Sequence, residues 1–236
     1  MFPLRDSIPS SRRPLINVTI IVACAAVFLF ELSLGPELER FVRVAGFVPA
    51  RFFHPAAFAA TVPGNLASLV VSMFLHGGWL HLIGNMWFLW VFGDNVEDAL
   101  GHAGYLAFYL VCGAAAALGQ AAAAPSSTVP MVGASGAIAG VLGAYLVWYP
   151  WSRIKTFLFF GIFFTTAELP APVFLVLWFV VQFFSGTLSL ATAGAASGGV
   201  AWFAHVGGFL AGVLLALWLR HGGRVRPAPR YVSTWE

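Results

Sequence analysis

Apolar residues run through this chain in long unbroken stretches, not in the alternation of a half-buried strand. Clusters of arginine, proline and glycine punctuate them. The pattern predicts six spans, at about residues 16–34, 79–96, 105–124, 135–149, 170–189 and 200–220. A membrane-crossing helix needs about 20 apolar residues for about 30 Å of hydrocarbon. The expected fold class is therefore an all-α membrane protein with six transmembrane helices. Between the first two spans, residues 35–75 mix Phe41, Phe47, Phe52 and Phe53 with Arg40, Arg43 and Arg51. That mixture suits short helices lying in the membrane interface.

The fourth stretch departs from the rest. Ser135 to Tyr149 is 15 residues, about 22 Å of helix at 1.5 Å per residue. Trp148, Tyr149, Trp151, Arg153 and Lys155 are expected to anchor its far end at the interface, so the shortfall lies at its start. Ser135 then opens a helix roughly 8–10 Å below the outer surface, and residues 125–134 must descend to it without regular structure. Non-helical backbone is tolerated at that depth only beside protein or a water-filled cavity. The geometry predicts a wet pocket with a serine at its floor.

Composition agrees with the membrane reading. Charged residues are 9% of 236 and apolar residues 60%, against roughly 25% charged in a soluble domain; mean hydropathy is +0.86. Nothing in the net charge of +3 points to nucleic acid. Cys24 and Cys112 both lie in apolar runs and read as small core residues, neither disulfide nor metal motif. With six spans both ends share a side. That side holds Arg5, Arg12, Arg13, Arg153, Lys155, Arg220, Arg224, Arg226 and Arg230, against Arg40, Arg43 and Arg51 on the other. The excess predicts both termini in the cytoplasm; the location expected is the cell's inner (plasma) membrane, as a multi-pass protein. The organisation expected is a cytoplasmic tail at 1–14, a membrane domain at 15–220 and a second tail at 221–236. The first run is read as an uncleaved span, since no A-x-A site follows it.

Three more polar side chains share the depth of Ser135. His81 and Asn85 are i and i+4 in the second span, on one face. His205 lies about 9 Å below the outer end of the sixth span. Ionisable groups inside a membrane are costly and commonly functional; a serine or asparagine alone would be interhelical glue. His76 is interfacial or a support for His81. Gly136 and Gly140 on the fourth span, and Gly208 and Gly212 on the sixth, form small-x-x-x-small faces that let backbones approach closely. Packing the two faces would bring the Ser135 hydroxyl to the His205 imidazole.

These segments, "GASGAIAG" around Ser135, "HGGWLHLIGN" with His76, His81 and Asn85, and "AHVGGFLAG" around His205, resemble the rhomboid family of intramembrane serine proteases. "FVPARF" and "AELPAP" resemble segments of bacterial members, and the likeness covers about residues 15–220. It implies that Ser135 is the nucleophile and His205 its base. His81, Asn85 and the backbone N–H of Ser135 would stabilise the oxyanion. The partners implied are transmembrane protein substrates and the lipid bilayer. Many members carry an aromatic ring four residues after the nucleophile, packed on the base; here Ala139 stands there, and Trp202 is the candidate for orienting His205. The Trp-Arg pair often found in the first loop is absent.

The chemistry expected from the residues is that of a serine made nucleophilic by a hydrogen-bonded histidine. With no acidic residue read into the outer half of the spans, a dyad is expected in place of a Ser-His-Asp triad. No cofactor and no metal is expected. Three rivals remain. One is an inactive rhomboid-like protein that binds membrane clients. Another is a transporter whose broken helix lines a path. The last is a G-x-S-x-G nucleophile elbow, against which Ala137 stands where the final glycine belongs.

Overall fold

The structure, a computed structural model, describes residues 2–53, 65–160, 163–193 and 201–225. Among these, β1 is Phe2–Asp6, α1 Leu15–Ser33, α2 Leu38–Ala45, α3 Pro49–Phe53, α4 Asn65–Val71, α5 Trp79–Leu100, α6 His102–Ala123 and α7 Ser135–Trp148. There follow β2 Arg153–Phe160, β3 Phe163–Pro170, α8 Ala171–Ala193 and α9 Trp202–His221. Each expected span coincides with one of the six longer helices, with ends shifted by a few residues. Three of them, α1, α6 and α9, are long and apolar enough on their own to cross a membrane; α5 joins them when taken with Leu66–Phe74, from which it is bent by 90°. The chain is a helical membrane protein. Pro63 and Gly64, the sixth span's start near Gly199 and Val200, and Arg226 and Arg230 lie outside the described residues.

The all-α expectation needs correction. Strand β1 pairs antiparallel with β2, and β2 with β3, in a three-stranded sheet. Phe160 lies opposite Phe163 at the hairpin's tip. Thr and Phe, which recur through Arg153–Phe160 and Phe163–Pro170, favour strands, a local signal that the search for spans overrode. The residues expected to form an N-terminal tail are likewise ordered. Phe2–Asp6 is a strand, and the Trp87 indole N–H donates to the Pro3 carbonyl. Asp6 accepts from Asn95 Nδ2 at 3.0 Å and from the Tyr145 hydroxyl.

Helix α7 is the centre of the bundle. Every residue from Gly136 to Tyr145 is buried, so it shows almost no face to lipid and packs on α5, α6, α8 and α9. Two of the five residues expected to anchor its far end at the interface face the protein instead. Trp148 and Tyr149 are buried, with the Trp148 indole donating to the Ala216 carbonyl at 3.1 Å and the Tyr149 hydroxyl to the Asn95 carbonyl at 2.8 Å. At the same end a polar network ties α1 to its neighbours. Glu97 accepts from the Ile16 and Asn17 backbone N–H groups at 2.9 and 2.7 Å, capping α1 with a negative charge where the helix dipole favours one. Asn17 in turn donates to the Leu89 carbonyl and accepts from the Tyr105 hydroxyl. Cys24 and Cys112 are free and buried, the small core residues expected.

The α7–α9 contact is backbone against backbone. A Cβ on Gly208 would sit on the Gly136 carbonyl oxygen, and one on Gly212 on that of Gly140. The adjacent Gly207 faces α6, where its Cβ would lie 3.3 Å from the Gly119 Cα. Consecutive glycines thus admit α9 to both partners at once. Gly140 is itself closed off by the Cys112 side chain, and Gly143 by the Phe209 carbonyl. This is how membrane helices associate when no hydrophobic difference from lipid drives them together.

Two expectations follow. Gly208→Val should cost about 1–3 kcal/mol of stability through overpacking and visibly lower the melting temperature in detergent. Gly84→Ala, at a helical glycine with nothing within 4 Å of its added Cβ, should change stability by no more than about 1 kcal/mol. Equal melting temperatures for the two variants would contradict the close contact. The second concerns Asp6. Burial pushes its carboxyl up to about 7 from the ordinary 3.8, with Asp94 the charge facing it from α5 and the Tyr145 phenol facing it from α7. A folded value above the unfolded one gives stability that is complete below about pH 4 and is lost as pH rises through 7. Thermal unfolding from pH 4 to 8 should therefore show the melting temperature falling in the parent protein and falling less in Asp6→Asn; parallel curves would contradict it.

Candidate active site

Ser135 is the first residue of α7. The segment before it is irregular from Ala124 to Ala134, as the short helix required, and its polar backbone is satisfied by the protein around it. Phe47 and Met131 exchange backbone hydrogen bonds at 3.1 and 2.7 Å, the Ala50 N–H donates to the Ser127 carbonyl at 2.9 Å, and the Gly133 N–H to the Ser72 carbonyl at 2.8 Å. The loop that carries α2 and α3 is therefore the wall against which residues 127–133 descend. Phe47, fully buried with Ala117 and Ala121, pins that wall to α6. Gly133 turns the chain into α7 at φ +127°, a conformation that a Cβ disfavours.

No side chain caps α7, so the N–H groups of its first turn face the pocket without an intrahelical partner. A cavity of about 30 Å³ opens beside Ser135, lined by small residues among which are Gly133, Gly136, Ala116 and Ala204, with Met73. It has room for a water or two.

Across the glycine contact stands His205, buried on the first turn of α9. Its Nε2 lies 2.7 Å from Ser135 Oγ, hydrogen-bond distance for a hydroxyl donating to an imidazole nitrogen. Its Nδ1 lies 2.6 Å from Gln182 Oε1 on α8. Trp178, one turn before Gln182, sets its ring 6.0 Å from the imidazole at 38°, and Trp202 meets the imidazole edge-on at 5.9 Å and 90°. Trp202, expected to orient His205, does touch it, but the polar contact comes from Gln182.

His81 and Asn85 lie together on α5 and face Gly133. A Cβ built there would be 2.7 Å from His81 Nε2 and 3.7 Å from Asn85 Nδ2. The Gly77 N–H approaches His81 Nδ1 at 3.4 Å, leaving Nε2 as the nitrogen that faces the turn into α7. Asn85 is buried, and its Nδ2 has no hydrogen-bond partner, although a buried amide donor left unpaired is costly. His76 is buried, its ring centroid 5.2 Å from that of His81, which makes it a support for His81 and not an interfacial residue.

Two residues escaped the sequence reading. Glu31 is an acidic residue in the last turn of α1, buried to 1% exposure. That corrects the expectation that the outer half of the spans holds no acid. It accepts from the His76 backbone N–H at 3.1 Å and is not a partner of His205. Gln182 was the second. Its signal was present: it is the one amide in the apolar run from Val173 to Phe184, and a polar side chain in such a run needs a partner.

Comparison with known proteins bears on what this pocket is. A sequence model of the rhomboid domain matches residues 63–222. The chain is 31% identical over 198 residues to Rhomboid-like protein 11, chloroplastic, of Arabidopsis thaliana, covering 81% of this chain and 64% of that protein. It is 32% identical over 142 residues to Presenilin-associated rhomboid-like protein, mitochondrial, of Bos taurus, covering 58% and 34%. It is 39% identical over 85 residues to Rhomboid-like protease 5 of Toxoplasma gondii, covering 34% and 9%. It thus spans less than two thirds of the length of each of these relatives. The matched region runs from before His76 to beyond His205 and takes in α5 to α9, and on that match the chain belongs to the rhomboid family.

Proposed function

We propose that the chain is an intramembrane serine endopeptidase that hydrolyses peptide bonds within or beside transmembrane segments of membrane proteins. The observation that carries this reading is the 2.7 Å contact between Ser135 Oγ and His205 Nε2, made by residues 70 positions apart on two helices whose backbones touch. A serine hydroxyl is a weak nucleophile until a base removes its proton. In this reading Ser135 Oγ attacks the substrate carbonyl while its proton passes to His205 Nε2. The carbonyl oxygen becomes an oxyanion held by His81 Nε2–H, Asn85 Nδ2–H and the backbone N–H of Ser135. His205 returns the proton to the leaving amine. Water drawn from the cavity beside Ser135 then gives a proton to His205 as its oxygen bonds to the acyl carbon; His205 passes that proton to Ser135 Oγ as the acyl–Oγ bond breaks, which releases the acid and restores the serine. The unpartnered Nδ2 of Asn85 supports its part, because the donor finds its acceptor only when charge develops on the substrate.

The topology proposed has six spans, with residues 1–14 and 221–236 on the cytoplasmic face of the cell's inner (plasma) membrane. The arginine distribution supports the sidedness. By name, one of these relatives is chloroplastic and another mitochondrial, and fractionation with a tagged chain decides the membrane for this protein.

Two outcomes are expected of the purified protein in detergent. Ser135→Ala should abolish cleavage of a model transmembrane substrate while retaining the parent's melting temperature within a few degrees, and EDTA should leave the parent's rate unchanged. Full cleavage by Ser135→Ala would end the reading of Ser135 as the nucleophile, and no cleavage by the parent would favour a client-binding or transport role. Asn85→Ala and His81→Ala should each lower kcat about 10²-fold or more with little change in KM, since a donor that acts on the oxyanion acts on the transition state. A raised KM with unchanged kcat would assign these side chains to substrate binding.

A further inference from the structure

We propose that Gln182 is a positioning residue that fixes the tautomer of His205, so that the base is held by a neutral amide where a triad would use a carboxylate. The proposal rests on the protease reading above and extends it to a third helix. An amide oxygen can only accept a hydrogen bond. With Gln182 Oε1 2.6 Å from Nδ1, the imidazole proton sits on Nδ1. Nε2 is then left with a lone pair 2.7 Å from Ser135 Oγ, the arrangement that lets it take the hydroxyl proton. The opposite tautomer would oppose two lone pairs at the Gln182 contact and aim an N–H at Ser135, where it could accept no proton.

The surroundings divide the task. Trp178 at 38° and Trp202 at 90° bound the imidazole on two sides and limit the tilt of its plane, which leaves rotation within the plane and the choice of tautomer to the amide. Ala139, one turn along from Ser135, is buried and too small to do either. The chemistry of the partner also fits its depth. The acid in the last turn of α1, Glu31, is engaged with His76, and an ionised carboxylate on α8 would carry the cost of a charge inside the membrane. A glutamine selects the tautomer without that cost. It stabilises the imidazolium less than a carboxylate would, a difference a substitution can expose.

The test uses the full-length protein in detergent, comparing the parent with Gln182→Leu, Gln182→Glu and Ser135→Ala. Gln182→Leu should lower kcat by about 10²-fold, short of the about 10⁴-fold that a wrong tautomer costs a serine protease with a full triad, and leave KM within about twofold. Gln182→Glu, which keeps an accepting oxygen for Nδ1–H whether or not its carboxyl is ionised, should keep the parent's kcat or exceed it. Side-chain ¹⁵N spectra, with the His205 signals assigned by their loss in His205→Ala, should show a protonated Nδ1 and a bare Nε2 in the parent and a mixture of tautomers in Gln182→Leu. A parent protein with its proton on Nε2, or a Gln182→Leu variant with the parent's kcat, would overturn the proposal. Loss of activity in Gln182→Glu equal to that in Gln182→Leu would do so as well, since it would mean that the amide N–H₂ is what matters. Should Gln182→Leu fail to fold, the parent's spectrum decides alone. Cleavage that survives in Ser135→Ala would instead overturn the reading of Ser135 as the nucleophile, and the tautomer would still be read from the spectra.

Discussion

The site depends on two helix backbones lying in contact. Ser135 and His205 sit on α7 and α9, 70 residues apart, and neither helix contains the other's partner. What places their polar atoms 2.7 Å apart is that Gly208 rests on the Gly136 carbonyl and Gly212 on that of Gly140. A hydrogen bond between a nucleophile and its base works over only about 2.6–3.2 Å, and a methyl group at either glycine would take up more than that tolerance. Lipid offers no hydrophobic drive to bring helices together, so close packing must do it, and glycine permits the closest. The same glycine pair shows why α7 is both short and central. It is sheathed by α5, α6, α8 and α9, and its start opens on the small cavity beside Ser135.

A buried helix start needs a descending segment, and that segment needs partners. Residues 127–133 find them in Phe47, Ala50 and Ser72, which makes the loop between α1 and α5 a structural wall of the pocket. Gly133 then makes the turn at φ +127° under the His81 ring. At the opposite end of the bundle the polar bonds are of another kind: Glu97 on the start of α1, Asn17 between α5 and α6, and Asp6 against Tyr145 of α7. The strand β1 thereby reaches the far end of the helix whose near end carries Ser135.

Much of this was legible in the residues. The apolar runs located each of the longer helices, and counting the 15 residues from Ser135 to Tyr149 placed the serine at a helix start behind an irregular segment. The glycine spacing showed which faces could meet. Other features were not legible, for physical reasons. The sheet went unread because the strand preference of Thr and Phe in residues 153–170 is a weak local signal and strand pairing is a non-local property. Trp148 and Tyr149 were taken for interfacial anchors because aromatic residues beside basic ones look alike whether they face lipid or a neighbouring helix. Glu31 was passed over within an apolar run, and Gln182 has meaning only once α8 and α9 are side by side. A hydrogen bond between helices leaves no periodicity in either.

The central claim is that helix contact makes one serine reactive. Treating the protein in its native membrane with a fluorophosphonate and mapping the adduct by peptide mass spectrometry tests it most directly. The account predicts a single adduct, on Ser135, formed in the parent and lost in His205→Ala. An adduct on another serine, or one on Ser135 that forms equally fast without His205, would contradict it.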